Sequence, residues 1–447
     1  MTQAESATIF ALATATGRAG IAVIRVSGSA ASSVFGALCK PQNVPSPRQA
    51  ARRGIYNPLN NELLDRGLVL WFQAPHSFTG EDVVELHLHG GRAVINGVTD
   101  VLRQIPGFRY AEPGEFTRRA FENGKFDLTE AEAVADLVNA ETDAQRRQSL
   151  RQMDGALAHL YENWRSRLMR ALAYLEASID FADEELPADV AEHPMKDLQV
   201  LEQEIIQHLD DRNRGERLRD GFSITILGQP NAGKSSLLNA LAKRDAAIVS
   251  SIAGTTRDII EIHLDLGGYP VILADTAGLR ESSNSIESEG IRRALMRANN
   301  ADLKILVFDG SAWPLMDEQT RALIDDNAVL VVNKADLLSS FPTSSLGFDP
   351  LFLSAKTGEG IPLLIDKLIN LIDIRFADTG KISLTRPRHR TALEDCLGHM
   401  RRAFVASQAE LRTEDVRLAM RALGSITGSV NIDDLLDIIF RDFCIGK

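Results

Sequence analysis

The sequence predicts a multidomain fold of α+β and α/β class: an N-terminal α+β module, a discontinuous helical domain, and an α/β domain inserted into the helical one. Three textures predict it. The first 110 or so residues alternate short apolar runs with Gly, Pro and Asn. Breaker-poor stretches of helical spacing begin near Leu128. From Ser223 to about Ile372 strands alternate with helices, the mark of a parallel sheet. Helical sequence resumes beyond Arg386, and an insertion explains two helical stretches around one α/β unit, because inserted domains have neighbouring termini. The expected boundaries are 1–118, then 119–218 with 377–447 for the helical domain, and 219–376 for the insertion.

In the first module "GIAVIRVSG", "GLVLWF" and "EDVVELHLHGG" read as strands, and "KPQNVPSPRQAARRG" reads as a surface loop. "LTEAEAVADLVNAETDAQRRQSLRQMDGALAHLYENWRSRLMRALAYLEASIDF" has helical texture, with Thr129 as cap and Glu132 completing a capping box. After "DEELPADVAEHP" a further helix is expected to about Leu218, and "HRTALEDCLGHMRRAFVASQ" and "TEDVRLAMRALGSIT" are both amphipathic.

At 447 residues with 44% hydrophobic and 25% charged content, the composition is that of a globular chain able to bury more than one core. No apolar run approaches the roughly 20 residues of a membrane span. The net charge of −12 argues against nonspecific nucleic-acid binding by the whole surface. Residues 1–120 carry +3 (12 basic against 9 acidic), so any anion site is local. Three scattered cysteines form no metal spacing and no disulfide framework, and the start lacks a secretory signal, so a cytoplasmic setting is expected.

"GQPNAGKSS" fits G-x-x-x-x-G-K-[ST] from Gly228 to Ser235, between the strand-like "FSITIL" and the helix-like "SLLNALAKR". Such a loop turns its N–H groups, among them those of Asn231, Ala232 and Gly233, toward phosphate oxygens. Lys234 reaches the β and γ phosphates, and Ser235, followed by Ser236, offers a hydroxyl to Mg²⁺. Three later segments follow strands in the expected order: "DTAG" with Asp275, Thr276 and Gly278; "NKAD" with Asn333, Lys334 and Asp336; and "SAK" with Ser354, Ala355 and Lys356. Asp336 can accept from both N1–H and the N2 amino group of guanine, whereas adenine offers an acceptor at N1, so the nucleotide is GTP. Asn333 is expected at the base edge, Lys334 over the ring and the Ala355 N–H at O6.

"GTTRD" supplies Thr256 as a second hydroxyl for Mg²⁺ beside Ser235 and Asp275, while Arg257 reads as a solvated switch arginine. Leu279 follows DTAG where Ras-like proteins carry a water-positioning Gln, so hydrolysis must recruit another group. Glu287 could orient the water, with Glu281 and Glu289 competing on sequence alone. Asn231 could hold a monovalent cation with carbonyls of "SSIAGT", or simply brace the loop.

With "FTGEDVVELHLHGG", "EPGEFTRRAF", "GQPNAGKSSLLNAL", "IAGTTRD", "DTAGLR", "NKAD" and the terminal "CIGK", essentially the whole chain resembles the MnmE (TrmE) family of tRNA modification GTPases. The resemblance implies a folate-binding, aminomethyltransferase-like first module and an inserted Ras-like P-loop GTPase domain. It implies K⁺ at Asn231, Ser250, Ile252 and Thr255, with Ser250 where Thr is common, and makes Glu287 the water-orienting carboxylate. It also implies G-domain dimerisation in a homodimer and an FAD-containing partner of MnmG type, joined in a heterotetramer or larger complex. The activity implied is addition of an aminomethyl or carboxymethylaminomethyl group at C5 of the wobble uridine of certain tRNAs. A tetrahydrofolate derivative would meet Arg25, Glu85, Lys125 and Lys447. The competing reading is a regulatory GTPase of ribosome assembly.

Glu85, His87 and His89 share a strand face, which reads as a polar sheet face rather than zinc ligands, for want of a third spaced ligand. Arg386, Arg388 and Arg390, like Arg165, Arg167 and Arg170, could meet tRNA phosphates but read more simply as solvated helix faces. Cys444 stands four residues from the end, yet Gly and Lys in "CIGK" do not suit a prenylation box, so it reads as an active-site thiol or as packing.

Overall fold

The computed structural model describes residues 7–180, 189–243, 261–275, 301–338, 349–376, 382–430, 436, 439–441, 443 and 446, with 189–194, 275 and 376 by backbone alone. The chain forms two compact units. One comprises Met1–Ala135, Gln152–Met195 and Gly398–Lys447; the other comprises Asp136–Arg151 and Lys196–Leu397.

The first unit carries seven strands: β1 (Thr8–Leu12), β2 (Ala19–Ser27), β3 (Cys39–Lys40), β4 (Ala51–Tyr56), β5 (Leu63–Phe72), β6 (Val83–Gly90) and β7 (Phe108–Tyr110). They lie in the order β3-β4-β5-β6-β2-β1-β7. Period-two patterning decides the faces. Phe10, Ile24, Val26, Val69 and Leu86 are buried with Phe35 and Leu38 of the helix Ser33–Leu38 and with Val98 and Leu102 of the helix Arg92–Gln104. Arg25 and Glu85 are cross-strand partners in the β2–β6 register and fall on the opposite face. The "ARRG" end of the expected surface loop is part of β4, where Ile55 is fully buried against the sheet core.

The long helical stretch is three helices, Leu128–Asn139, Asp143–Met153 and Ala156–Asp180. Each break has a local cause. The first helix is capped by Asp127, not Thr129: Asp127 Oδ1 accepts from the Glu130 N–H at 2.9 Å, and Glu130 Oε2 accepts from the Asp127 N–H at 2.7 Å. This box is worth about 1 kcal/mol and places the cap two residues upstream of the expected one. Thr142 and Gln145 form a second box at the head of Asp143–Met153. Gly155, at φ 80°, ends that helix in the left-handed region a side chain avoids. The helix expected to run to Leu218 is Asp189–Leu209 followed by Arg214–Asp220. Within the first unit, Ala156–Asp180 packs along Ala409–Thr427.

The second unit holds β8 (Phe222–Leu227), β9 (Glu261–Leu266), β10 (Tyr269–Asp275), β11 (Leu303–Asp309), β12 (Ala328–Asn333) and β13 (Leu351–Phe352), in the order β13-β12-β11-β8-β10-β9. All pairs are parallel except β9–β10. Strands β11 and β12 are almost wholly apolar because both faces are covered. Leu237 and Leu241 of Lys234–Ala242, with Leu364 and Leu368 of Ile361–Phe376, close one face; Leu306, Phe308, Trp313 and Val332 form the core of the other. No helix among the described residues is long and apolar enough to cross a membrane.

Candidate functional site

In an open parallel sheet the loops at the carboxyl ends of the strands form the binding crevice. Gly228 follows β8, Asn333 ends β12 and Ser354 comes two residues after β13. The β8 loop turns into the helix Lys234–Ala242 through Asn231 at φ 64° and Gly233 at φ 94°. Both conformations turn successive N–H groups toward one concavity, and the helix N-terminus adds its dipole. Gly233 is required sterically as well, for a Cβ there would collide with Asn333 Nδ2, and one at Gly228 would collide with the Val307 carbonyl.

Lys234 folds back over the loop, its Nζ donating to the carbonyls of Gly228 (2.8 Å) and Gln229 (3.0 Å). Ser235 and Ser236 are exposed on the first helical turn, beside Lys234. A glycine-cleared concavity with an ammonium across its mouth fits a polyphosphate, and Ser235 fits a Mg²⁺ ligand.

Asn333 does something the sequence did not disclose. Its side chain is buried; Nδ2 donates to the Ala232 carbonyl at 2.9 Å and Oδ1 accepts from the Ala355 N–H at 3.0 Å. One amide therefore ties the phosphate loop to the segment expected at the base, rather than presenting both its ends to a ligand. Lys334, at φ 64°, sends Nζ to Asp309 Oδ2 at 2.6 Å. Asp309 also accepts from the Ser311 N–H and hydroxyl at 2.9 and 2.7 Å. Burial pushes the Asp309 carboxyl up, but these hydrogen bonds and the Lys334 charge outweigh it and hold it below the usual range. Asp336 is exposed, and Lys356 is exposed beside Ala355. Ser354 is buried, its hydroxyl accepting from the Thr357 N–H at 3.2 Å. Ser250, Ile252, Thr255, Thr256, Thr276, Gly278 and Glu287 lie outside the described residues, and Asp275 is described by backbone alone at the end of β10.

A second polar site lies on the other face of the first sheet, beside the buried Ile9, Ala11 and Phe116. Arg25 Nε and a terminal nitrogen donate to Glu85 Oε1 at 3.1 and 2.9 Å, and the guanidinium lies 5.2 and 5.8 Å from the ring centroids of Phe78 and Phe116. Arg25 and Glu85 thus form one ion pair. Lys125 Nζ donates to the Pro75 carbonyl at 2.9 Å. His87 meets Glu85 Oε2 at 3.2 Å and His89 meets Asp65 at 2.8 Å, so each imidazole has a separate carboxylate. Among the described residues no group of three candidate ligands converges on a metal position.

The C-terminal segment reaches this same module. Phe440 and Phe443 pack with Leu128 and Ala131, Phe440 presents its carbonyl to Gly114, and Gly446 sits so close to the end of β1 that a Cβ would strike the Leu12 carbonyl. Cys444 and Lys447 themselves lie outside the described residues. Cys39 and Cys396 are buried, and burial pushes both thiols up to about 12, so they are packing residues.

The two arginine clusters differ in how far they are engaged within the fold. Arg386 donates to Asp136 at 2.6 Å; Arg390 binds Asp211 at 2.7 Å, Glu216 at 3.2 Å and the Leu209 carbonyl at 2.9 Å. Arg165 pairs with Glu162 at 3.0 Å and Arg167 is buried. Arg386 and Arg390 are thus held by ion pairs within their unit, whereas Arg165 pairs along its own helix and Arg170 is exposed.

A parallel sheet with a glycine-cleared phosphate loop, an Asn-Lys-x-Asp segment at a strand end and a Ser-Ala-Lys segment beside it defines a P-loop GTPase domain. The family model for the MnmE helical domain matches residues 128–444, and that for the GTP-binding protein TrmE N-terminus matches residues 8–125. The chain belongs to the tRNA modification GTPase MnmE family. A tRNA modification GTPase MnmE from Paramagnetospirillum magneticum is 56% identical over 444 residues, covering 99% of this chain and 100% of the relative. The mitochondrial 5-taurinomethyluridine-[tRNA] synthase subunit GTPB3 of Danio rerio is 46% identical, covering 98% and 93%. Among solved structures, the G domain of the T. maritima FeoB iron transporter is 29% identical over 34% of this chain and 98% of its own, with a TM-score of 0.26.

Proposed function

We propose that this chain hydrolyses GTP to drive conformational change in a tRNA-modifying enzyme. With an FAD-containing partner of MnmG type it would add an aminomethyl or carboxymethylaminomethyl group to C5 of the wobble uridine of certain tRNAs. The observation that carries the GTPase half is the Asn333 brace, which sets a phosphate loop and a guanine-type segment at a fixed separation. Full-length similarity to proteins named as tRNA modification GTPases supports the other half over a ribosome-assembly role.

In this reading Lys234 and the loop N–H groups hold the phosphates, Asp336 reads guanine, and Ser235, Thr256 and Asp275 hold Mg²⁺. Asn231, Ser250, Ile252 and Thr255 would hold K⁺, whose charge would supply what an arginine finger supplies elsewhere, and Glu287 would orient the water that Leu279 cannot. Arg25, Glu85, Lys125 and Lys447 bind the tetrahydrofolate derivative, and Cys444 is brought to it by the terminal segment. The division at 1–118, 119–218 with 377–447, and 219–376 is the functional one. Assembly as a homodimer that joins the partner in a larger cytoplasmic complex completes the proposal. A strain lacking the gene should lose the modified wobble uridine in nucleoside digests and regain it with the intact gene; unchanged nucleosides would overturn the tRNA role.

A further inference from the structure

Strand β11 ends at Asp309, directly beside Asn333 in the β11–β12 register. Its carboxylate turns inward onto Lys334 Nζ at 2.6 Å, while its other oxygen caps the Gly310–Ala312 turn through Ser311. That turn presses on the neighbouring strand: a Cβ at Gly310 would come within 2.6 Å of the Asn333 carbonyl oxygen. Lys334 itself holds φ 64°, a conformation that residues other than glycine seldom adopt, and backbone of this kind clusters at ligand clamps.

We propose that Asp309 is a positioning residue of the guanine site, acting by holding the Lys334 side chain extended so that its hydrocarbon stem forms a fixed plate over the base. The inference rests on the reading of Lys334 as the residue that covers guanine. A lysine side chain has four rotatable bonds and much rotamer freedom to lose. Fixing its ammonium on a carboxylate removes that freedom before the nucleotide arrives, so binding meets a surface already ordered. Without Asp309 the stem must be ordered by the base itself, and the partly buried ammonium loses its counter-charge.

The test uses the full chain and a fluorescent methylanthraniloyl-GDP. Asp309→Asn keeps an oxygen for Ser311 and removes the charge from Lys334. Its dissociation constant should rise about fivefold, chiefly through faster release, with KM for GTP rising in step and kcat much less affected. Asp309→Glu should recover part of the loss. In a Lys334→Met background, which keeps an apolar stem without an ammonium, Asp309→Asn should add nothing further. Unchanged affinity in Asp309→Asn, or an equal loss in the Lys334→Met background, would overturn the inference alone. Failure of the unsubstituted protein to bind guanine nucleotide would overturn the site assignment and this inference together.

Discussion

Replacing Asn333 by Ala removes both ends of the brace between the phosphate loop and the Ala355 segment. The side chain is 2% exposed, so the Ala232 carbonyl and the Ala355 N–H lose their partners where water enters poorly. Each orphaned buried group costs about 1–3 kcal/mol, and two give about 3 kcal/mol if water rescues part of the loss. If half of that is restored by nucleotide, which must then order both loops itself, GDP affinity falls roughly tenfold. Because a two-unit chain is poorly described by one unfolding transition, the brace is best followed locally, by hydrogen exchange of the peptide containing Ala355, with GDP titration calorimetry alongside. Exchange there should accelerate by at least tenfold. Asn333→Asp keeps the acceptor for Ala355 but turns an oxygen on the Ala232 carbonyl, so it should protect Ala355 and still weaken GDP. Wild-type exchange together with wild-type affinity in Asn333→Ala would refute the reasoning.

Other consequences can be measured more simply. Gly446→Val puts a branched side chain at φ 98° against the Leu12 carbonyl, so the terminal segment should leave β1 and wobble-uridine modification should fall severalfold while GTP hydrolysis persists; unimpaired modification would remove the segment from the chemistry. His208 is lowered to about 4, by burial first and by Arg390, with Asp211 opposing. Between pH 6.5 and 4 the unfolded chain therefore takes up a proton that the folded chain refuses, so this contribution is complete above 6.5 and is lost as pH falls toward 4. His208→Gln should flatten the fall, across that window, of the midpoint of the transition that unfolds the second unit, and an unchanged slope would exclude this histidine as its cause. Glu287→Ala should bind GTP nearly normally and hydrolyse it at least tenfold more slowly; normal turnover would take Glu287 out of the mechanism.

The phosphate loop was legible because its constraint is local: glycines at fixed spacing, then a lysine and a hydroxyl, between a strand and a helix. The same holds for the order of "NKAD" and "SAK". What the sequence hid depends on partners brought together by folding. Asn333 resembles a ligand-facing amide until Ala232, 101 positions earlier, is seen to accept from it. Asp309 closes an ordinary-looking strand, and its function is visible only beside Lys334. Arg386 and Arg390 read as a solvated basic run because Asp136 and Asp211 lie 250 and 179 positions away. Asp127 and Thr129 are both good caps, and only the backbone decides between them.

The cluster around Leu128 and Ala131 is completed by Leu436, Phe440 and Phe443. On a ribosome adding about 10 residues per second, those side chains emerge roughly half a minute after the helix Leu128–Asn139 that they help to cover. For that interval the early helix waits with an apolar flank open, and a chain cut short within the GTPase segment never covers it. Such fragments should be recognised by chaperones and proteases through that flank.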